Sequence, residues 1–219
     1  MCKHAIHPAS RAISVTAVMR PLPQTRRMWL KFELVRKSKR TGLATRQTGG
    51  DLGKWIAPAD PSLGTRPGDV WVFKHPVKDL MAPDTYRFRV SFRWTGSHGR
   101  RLGDRVRHSR SCFQPELRPD LLVASIQVSA IPGQANNDRY VARIRNAGAT
   151  AAKGFQVQFS YGDIRITRAV KRLKPRSSIK ESFVGPRCTA TTAPTVTVDP
   201  GHHIDDANPS NNSRVANCS

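Results

Sequence analysis

Apolar and polar residues alternate with a period of two along much of the chain. In the stretch TYRFRVSFRWTG (85–96), every even position from Tyr86 to Trp94 is aromatic or valine, and every odd position between them is arginine or serine. Successive side chains of a β-strand point to opposite faces of a sheet. The pattern therefore predicts a strand with one buried and one exposed face.

Shorter runs of the same kind recur in the N-terminal half, separated by Gly, Pro, Asn and Asp residues that are typical of turns. They predict strands at residues 11–19, 28–37, 69–75, 85–95 and 104–112. Residues 38–68 have little periodicity and predict a long loop, with one short strand near KWIA (54–57).

The C-terminal half shows seven such runs, and helical patterning is nearly absent from the whole chain. The predicted strands lie at residues 121–129, 139–146, 154–161, 164–172, 178–185, 195–199 and 213–218. Seven short alternating strands in about one hundred residues are typical of an immunoglobulin-like (Ig-like) sandwich.

Two prolines mark the boundary between the halves. Pro115 and Pro119, in CFQPELRPDLLV (112–123), remove amide donors and favour extended backbone. We therefore predict an all-β fold of two tandem Ig-like or fibronectin-like antiparallel β-sandwiches. The first, residues 1–115, is a basic domain of unassigned family, and the second comprises residues 116–219.

The charge of the chain is strongly positive and unevenly distributed. There are 37 Lys and Arg residues against 15 Asp and Glu, a formal net charge of +22. The first 115 residues hold 23 basic and 7 acidic residues, a net charge of +16, and the remainder holds 14 and 8, a net charge of +6. Such a field attracts phosphate, carboxylate or anionic lipid without specifying which.

Part of this charge forms a row on one predicted strand. Alternate residues of a strand are about 6.6–6.8 Å apart, so Arg87, Arg89 and Arg93 span roughly 20 Å. If Arg105 and Arg107 lie beside them on the next strand, the row becomes a candidate polyanion-binding patch. A solvated sheet face, an anionic cell-surface or wall polymer and a nucleic acid all remain open as explanations. The large apolar residues of the strand point inward, which counts against base stacking.

Three segments of the C-terminal half resemble a known family in order and spacing. They are RPDLLVASIQVS, ARIRNAGATAAKGFQVQFS and VDPGHHIDDANPSNNSRV, within residues 117–218. Together they resemble CARDB, the cell-adhesion-related domain found in bacteria. The resemblance implies a secreted or surface-displayed Ig-like β-sandwich without catalysis of its own, and it does not extend to residues 1–115.

The motif that carries the resemblance consists largely of short polar residues in loops. We expect these side chains to bond backbone amides and pin the loops. With His202, His203 and Asp206 they offer a cation site as an alternative, but the motif already accounts for them, and we predict no metal. The predicted structural residues are Asn146, Gly148, Asp199, Asp205, Asn208, Asn211 and Asn212.

Four cysteines bear on the compartment. Cys188 follows the fifth predicted strand of the second domain and Cys218 ends the seventh, and these strand ends share one pole of an antiparallel sandwich. A disulfide between them is therefore predicted, and by elimination Cys2 pairs with Cys112. Free thiols, or zinc held by Cys2 and nearby histidines, are the alternatives, although no CxxC motif occurs. Two disulfides favour an extracellular or cell-surface location.

The start of the chain and its lack of catalytic motifs narrow the class of function. MCKHAIHPASRAISV lacks the apolar core of a signal peptide, so we expect an export signal upstream or a truncated start. No apolar run approaches the roughly 18 residues of a membrane span. No GxSxG, phosphate-binding loop or recognisable Cys–His signature occurs, so we expect neither an enzyme nor a cofactor.

The expected function is that of a non-catalytic secreted or cell-surface bacterial protein for adhesion or polymer binding. Its partner would be an unknown protein or an anionic cell-surface polymer. The alternatives are a basic nucleic-acid-binding protein and an accessory domain detached from a larger secreted enzyme.

Overall fold

Strands form nearly all the regular structure of the chain. The computed structural model describes residues 1–189 and 191–218, and within them sixteen strands and three short turns of 3-10 helix are present. The chain divides by its contacts into an N-terminal domain, Met1–Pro115, and a C-terminal domain, Glu116–Ser219. Both are antiparallel β-sandwiches, so the predicted all-β, Ig-like or fibronectin-like fold class is confirmed.

The N-terminal domain contains nine strands in two sheets. They are β1 (Cys2–Lys3), β2 (Ala12–Met19), β3 (Arg27–Ser38), β4 (Ala44–Gln47), β5 (Trp55–Ile56), β6 (Trp71–Lys78), β7 (Asp84–Thr95), β8 (Arg101–His108) and β9 (Cys112–Gln114). The smaller sheet has the order β1-β2-β6. The larger has the order β4-β3-β7-β8, with β5 also paired to β3 and β9 to β7.

Strands β3 and β7 form a long antiparallel pair at the centre of the larger sheet. The two strands pair over their full length, from Arg27 opposite Thr95 to Ser38 opposite Asp84. Their inward side chains meet those of the smaller sheet in a single core, where Phe32 and Phe88 pack edge to face with ring centres 6.4 Å apart. Alternate residues are buried along the centre of both strands, from Met28 to Leu34 in β3 and from Asp84 to Val90 in β7.

Strands that lack a buried face were missed or misplaced by the sequence pattern. β4 lies inside the segment predicted as a loop, and none of its four residues is buried. β8 was predicted at 104–112, but it runs from Arg101 to His108 and carries no buried side chain. Edge strands of this kind have no apolar face to generate a period of two.

The described residues of the C-terminal domain form seven strands, each overlapping a predicted one. They are β10 (Leu121–Ile131), β11 (Gln134–Asn146), β12 (Ala152–Tyr161), β13 (Ile164–Leu173), β14 (Ser178–Pro186), β15 (Thr195–Val198) and β16 (Ser213–Val215). One sheet has the order β10-β11-β14 and the other β13-β12-β15-β16. A two-residue turn at Gly162, with φ +54°, joins β12 to β13.

Aromatic residues from both sheets fill the core of the C-terminal domain. Phe159 packs between Tyr140, at 4.9 Å between ring centres, and Phe183, at 5.5 Å. The buried Tyr140 hydroxyl donates a hydrogen bond of 2.5 Å to the Pro186 carbonyl, so its polar end is satisfied.

Each domain carries one disulfide. Cys2 of β1 is bonded to Cys112 of β9, with the two Cα atoms 5.5 Å apart. Cys188 is bonded to Cys218, with the Cα atoms 5.3 Å apart. Within residues 1–189 and 191–218, no helix has the length and apolar character needed to cross a bilayer.

Candidate functional site

The outer face of the larger N-terminal sheet combines cations with indole rings. On β3, the even residues from Met28 to Leu34 are buried, so Trp29 and Lys31 point to the opposite, outer face. Arg93 of β7 lies directly opposite Trp29, and Trp55 of β5 lies directly opposite Lys31. Directly opposed residues share a face. Two tryptophans therefore lie among the arginines of this face.

Each indole ring carries a cation over its surface. The guanidinium carbon of Arg27 lies 4.6 Å from the ring centre of Trp29. That of Arg93 lies 4.1 Å from the ring centre of Trp55, with Lys31 Nζ at 5.2 Å from the same ring. Such contacts contribute about 0.5–1 kcal/mol each at exposed sites and hold the rings and cations together.

The two rings open onto a cleft of about 640 Å³. Trp29 is fixed at one side of it, because its Nε1 donates a 3.2 Å hydrogen bond to Thr95 Oγ1. Arg26 and Arg27 line the cleft, and within the described part of the chain no carboxylate lies at ion-pair distance from either. The cleft thus offers flat apolar surface beside uncompensated positive charge. The remaining lining residues are Trp55, Pro61, Arg93, Gly96 and Gly99.

A buried carboxylate organises the cations farther along the face. Glu33 is only 2% exposed and forms ion pairs with Arg89, Arg46 and Lys31. Burial opposes its ionisation, but the Arg89 hydrogen bond and the three nearby cations outweigh burial and lower the pKa of Glu33. The charge of Arg89 is therefore already paired with Glu33, so Arg89 offers less attraction to a bound anion than Arg26 or Arg27.

The five arginines of the predicted polyanion patch are not brought onto one face. Arg105 and Arg107 lie opposite Phe92 and Val90, so they share the inner side of the sheet, away from Arg89 and Arg93. The expectation that the arginine row widens onto the next strand is therefore wrong. The register of β8 points Arg105 and Arg107 to the face opposite that of the β7 arginines.

The members of the arginine row are also engaged within the protein. Arg87 donates a 2.9 Å hydrogen bond to the Ser109 carbonyl. Arg93 donates one of 3.0 Å to Asp104, which also pairs with Arg101.

The two tryptophans were missed by the sequence analysis. Trp29 is out of phase with the buried positions of β3, and this mismatch could have indicated an aromatic ring on the outer face. Trp55 lies in the segment treated mainly as a loop. The inward orientation of the β7 aromatic residues does not exclude base stacking, because Trp29 and Trp55 place rings on the outer face.

The predicted loop residues of the C-terminal domain form a hydrogen-bonded frame. Asn146 is fully buried; its Oδ1 accepts from the amides of Asp120 and Gly148, and its Nδ2 donates to the carbonyls of Thr150 and Leu173. At Gly148, an added Cβ would lie 2.4 Å from the Arg118 carbonyl oxygen, so no side chain fits there. Both residues act as structural elements of the turn after β11.

The long loop between β15 and β16 is held in the same way. Asp199 accepts hydrogen bonds from the amides of His203 and Ile204. Asp206 accepts from the amides of Leu121 and Asn208. Burial raises the pKa of Asp206, against the effect of these bonds.

The remaining residues of the motif bind neighbouring side chains or are buried. Asp205 pairs with Arg118 at 3.0 Å, Asn211 donates to Asp120 at 3.0 Å, and Asn212 is buried. His202 and His203 are exposed. No group of three or more His, Cys, Asp or Glu side chains suited to a metal is found among the described residues.

Comparison with known proteins gives a family for the C-terminal half. The family model CARDB matches residues 118–216. No match is found among curated proteins.

Solved structures resemble the chain loosely. A domain of a protein described as a cell surface protein of Methanosarcina acetivorans is 30% identical, over 46% of this chain and 90% of that one, with a TM-score of 0.39. The class 5 fimbriae chaperone CfaA is 10% identical over 100% of this chain and 97% of that one, with a TM-score of 0.30. The FN1–FN3 domains of chicken CNTN1 are 11% identical over 84% of this chain and 56% of that one, with a TM-score of 0.21.

The family match covers the segment in which the polar loop frame and the seven strands of the second sandwich lie. The C-terminal half of this chain, residues 118–216, belongs to the CARDB family.

Proposed function

We propose that this chain is a non-catalytic surface protein whose N-terminal domain binds an acidic polysaccharide. The observation that carries the proposal is the pair of indole rings, Trp29 and Trp55, that line one cleft with uncompensated arginines. The side chains that form the cleft supply cations and rings rather than a nucleophile beside a base. A binding role suits this set of groups better than catalysis.

The chemistry of the cleft fits a ligand with two kinds of surface. Guanidinium groups bind carboxylates through two parallel hydrogen bonds, and Arg26 and Arg27 are available for this. Indole rings provide rigid apolar surface, against which the flat face of a sugar ring can pack. A polymer of uronic acids presents both surfaces in every repeat.

A surface location agrees with the covalent structure and with the family. The two disulfides are typical of proteins that fold outside the reducing cytosol. CARDB membership supports an adhesion-related module, in which the C-terminal sandwich presents or accompanies the binding domain.

The proposal is tested by retention on immobilised polygalacturonate at about 150 mM salt, near physiological ionic strength. The variant Arg26→Ala/Arg27→Ala is compared with Arg168→Ala/Arg172→Ala, which removes the same charge from exposed positions of β13. We expect at least a tenfold loss of affinity for the first variant and less than a twofold loss for the second. Equal losses in the two variants would show that retention reflects net charge alone.

Nucleic acid is the competing ligand, because base stacking also uses exposed aromatic rings between arginines. The same column assay is repeated with single-stranded DNA as a soluble competitor. Binding to DNA is expected to weaken steeply with salt. If DNA displaces the protein from polygalacturonate at low micromolar concentration and physiological salt, the polysaccharide assignment is wrong.

A further inference from the structure

One side of the N-terminal sandwich is left open along the edge of β2. Along one edge, β2 pairs with β6 from Ala12 to Met19. Along its other edge, β1 pairs only with Ala12 and Ile13. Beyond this point no strand among the described residues covers the edge.

Hydrogen bonds at the chain start show which backbone groups face this open edge. The Ser14 amide donates to the Met1 carbonyl at 2.9 Å, and the Met1 amine donates to the Ser14 carbonyl at 2.8 Å. In an antiparallel ladder alternate residues direct both backbone groups to the same side. Thr16 and Val18 therefore present their N–H and C=O groups to the open edge, and no backbone partner for them is found in the described part of the chain.

The opposite wall of the opening is β8, an edge strand of the larger sheet. β8 pairs with β7 alone, and its Arg105 and Arg107 lie on the inner side of the larger sheet. Between β2 and β8 lies a cleft of about 450 Å³, onto which the stacked rings of Phe92 and Trp94 open, 6.3 Å apart. The sandwich is thus open here.

The same side is closed at its other end. The disulfide between Cys2 of β1 and Cys112 of β9 joins the two sheets. The Gln114 side chain donates hydrogen bonds to the Lys3 and Ala12 carbonyls and strengthens the junction. The opening therefore starts where β1 ends, and it has room for a strand in line with β1.

The charge around the opening selects its occupant. Arg20, Arg105 and Arg107 line it, and the acid that lines it, Asp104, already pairs with Arg93 and Arg101. Val18 is 55% exposed and Leu22 40% exposed at its rim. An entering strand would place alternate side chains against the Phe92 and Trp94 rings and the two inward arginines, which favours apolar and acidic residues there.

We propose that an extended segment of a partner protein, whose inward-facing alternate residues include both apolar and acidic side chains, adds as a strand to β2 beside Val15–Met19. Backbone hydrogen bonds from Thr16 and Val18 hold the segment, and Arg105 and Arg107 select its acidic side chains. Addition of a strand to an exposed edge is an established mode of peptide recognition. It also covers an edge that is otherwise a template for aggregation. This surface is distinct from the polysaccharide cleft on the outer face.

The test uses a synthetic nine-residue peptide, TVTVTETET, whose two valines and two glutamates lie on one strand face, with a lysine-for-glutamate peptide as the control. Amide hydrogen exchange is followed by NMR in the full chain. We expect the Thr16 and Val18 amides to exchange at least tenfold more slowly with the acidic peptide and unchanged with the basic one. Binding without protection of these two amides would overturn strand addition, and so would no binding at all.

Two variants separate backbone pairing from charge. Val18→Pro removes an N–H that points to the open edge of β2, and proline is tolerated at such an edge. Lys74→Pro is the matched control: Lys74 of β6 lies opposite Thr16, so its N–H points away from β2, to the other edge of the same sheet. The first is expected to abolish binding and the second to preserve it. In Arg105→Glu/Arg107→Glu the preference should reverse toward the basic peptide. Unchanged binding in Val18→Pro, or unchanged preference in the charge variant, contradicts the proposal.

Discussion

Removing the Cys2–Cys112 disulfide is expected to destabilise the N-terminal domain strongly. The bond closes a loop that spans 110 residues, nearly the whole domain. Non-covalent support for β1 is limited to two paired positions on β2, two bonds between Met1 and Ser14, and the Gln114 side chain. The change is therefore Cys2→Ala/Cys112→Ala.

The magnitude follows from the entropy of the unfolded chain. For a loop of 110 residues, the loop-closure estimate gives about 5 kcal/mol of stabilisation, against about 4 kcal/mol for the 30-residue loop of Cys188–Cys218. With a urea slope of about 1–3 kcal/mol per molar, the N-terminal midpoint should fall by about 2 M or more.

Tryptophan fluorescence isolates this domain, because all four tryptophans lie at positions 29, 55, 71 and 94. Urea unfolding is followed by fluorescence for the N-terminal domain and by far-UV circular dichroism for both. The matched control, Cys188→Ala/Cys218→Ala, should leave the fluorescence midpoint in place and shift only the dichroism. A fluorescence midpoint that moves by less than about 0.5 M in the Cys2→Ala/Cys112→Ala variant would refute the reasoning, since the slope would then place the loss near or below about 1.5 kcal/mol.

Three further predictions concern single residues. Glu33→Gln should lower the free energy of unfolding by about 2 kcal/mol at pH 7, because it weakens charge-assisted hydrogen bonds. The folded pKa of Glu33 is lowered, so this stability difference should be present above the unfolded pKa of about 4.3 and vanish as pH falls through the folded pKa. Urea unfolding measured at intervals from pH 7 to pH 3 checks this. Gly148→Ala should destabilise the C-terminal domain by about 2–4 kcal/mol in thermal unfolding, because its Cβ meets backbone at 2.4 Å, and Ala149→Gly, at an exposed neighbour, should cost less than about 1 kcal/mol. Burial raises the pKa of Tyr140 to about 12, so its phenol absorbance should titrate above that of the exposed model compound, and a Tyr140 that titrates near pH 10 would contradict the packing.

Most strands with one buried face were predicted from the sequence, whereas β4, which has no buried residue, was missed. In the C-terminal domain the alternation is clearest in β11 and β12, because much of each strand buries every second side chain. β4 and β8 are edge strands with almost no burial, so their residues carried no period of two. Register across β7 and β8 could not be read from composition, and a shift of one residue sends every side chain to the other face.

The candidate site was predictable only in part, for a related reason. The arginine row of β7 was visible in the pattern, but its meaning depends on what neighbouring strands place beside it. Trp29 comes from β3, and Trp55 is brought by a two-residue strand from a long irregular segment. The buried Glu33 reads in the sequence as one more exposed polar position, although three cations cover it.

The most direct test of the central claim is an NMR titration of the four indole N–H signals with an oligogalacturonate. Trp29 and Trp55 line the proposed cleft, whereas Trp71 and Trp94 are buried in the core, where Trp94 Nε1 donates to the Arg20 carbonyl at 2.7 Å. Binding as proposed shifts the signals of Trp29 and Trp55 with one common dissociation constant and leaves those of Trp71 and Trp94 in place. Saturable binding that moves neither Trp29 nor Trp55, or no binding at physiological salt, would contradict the account.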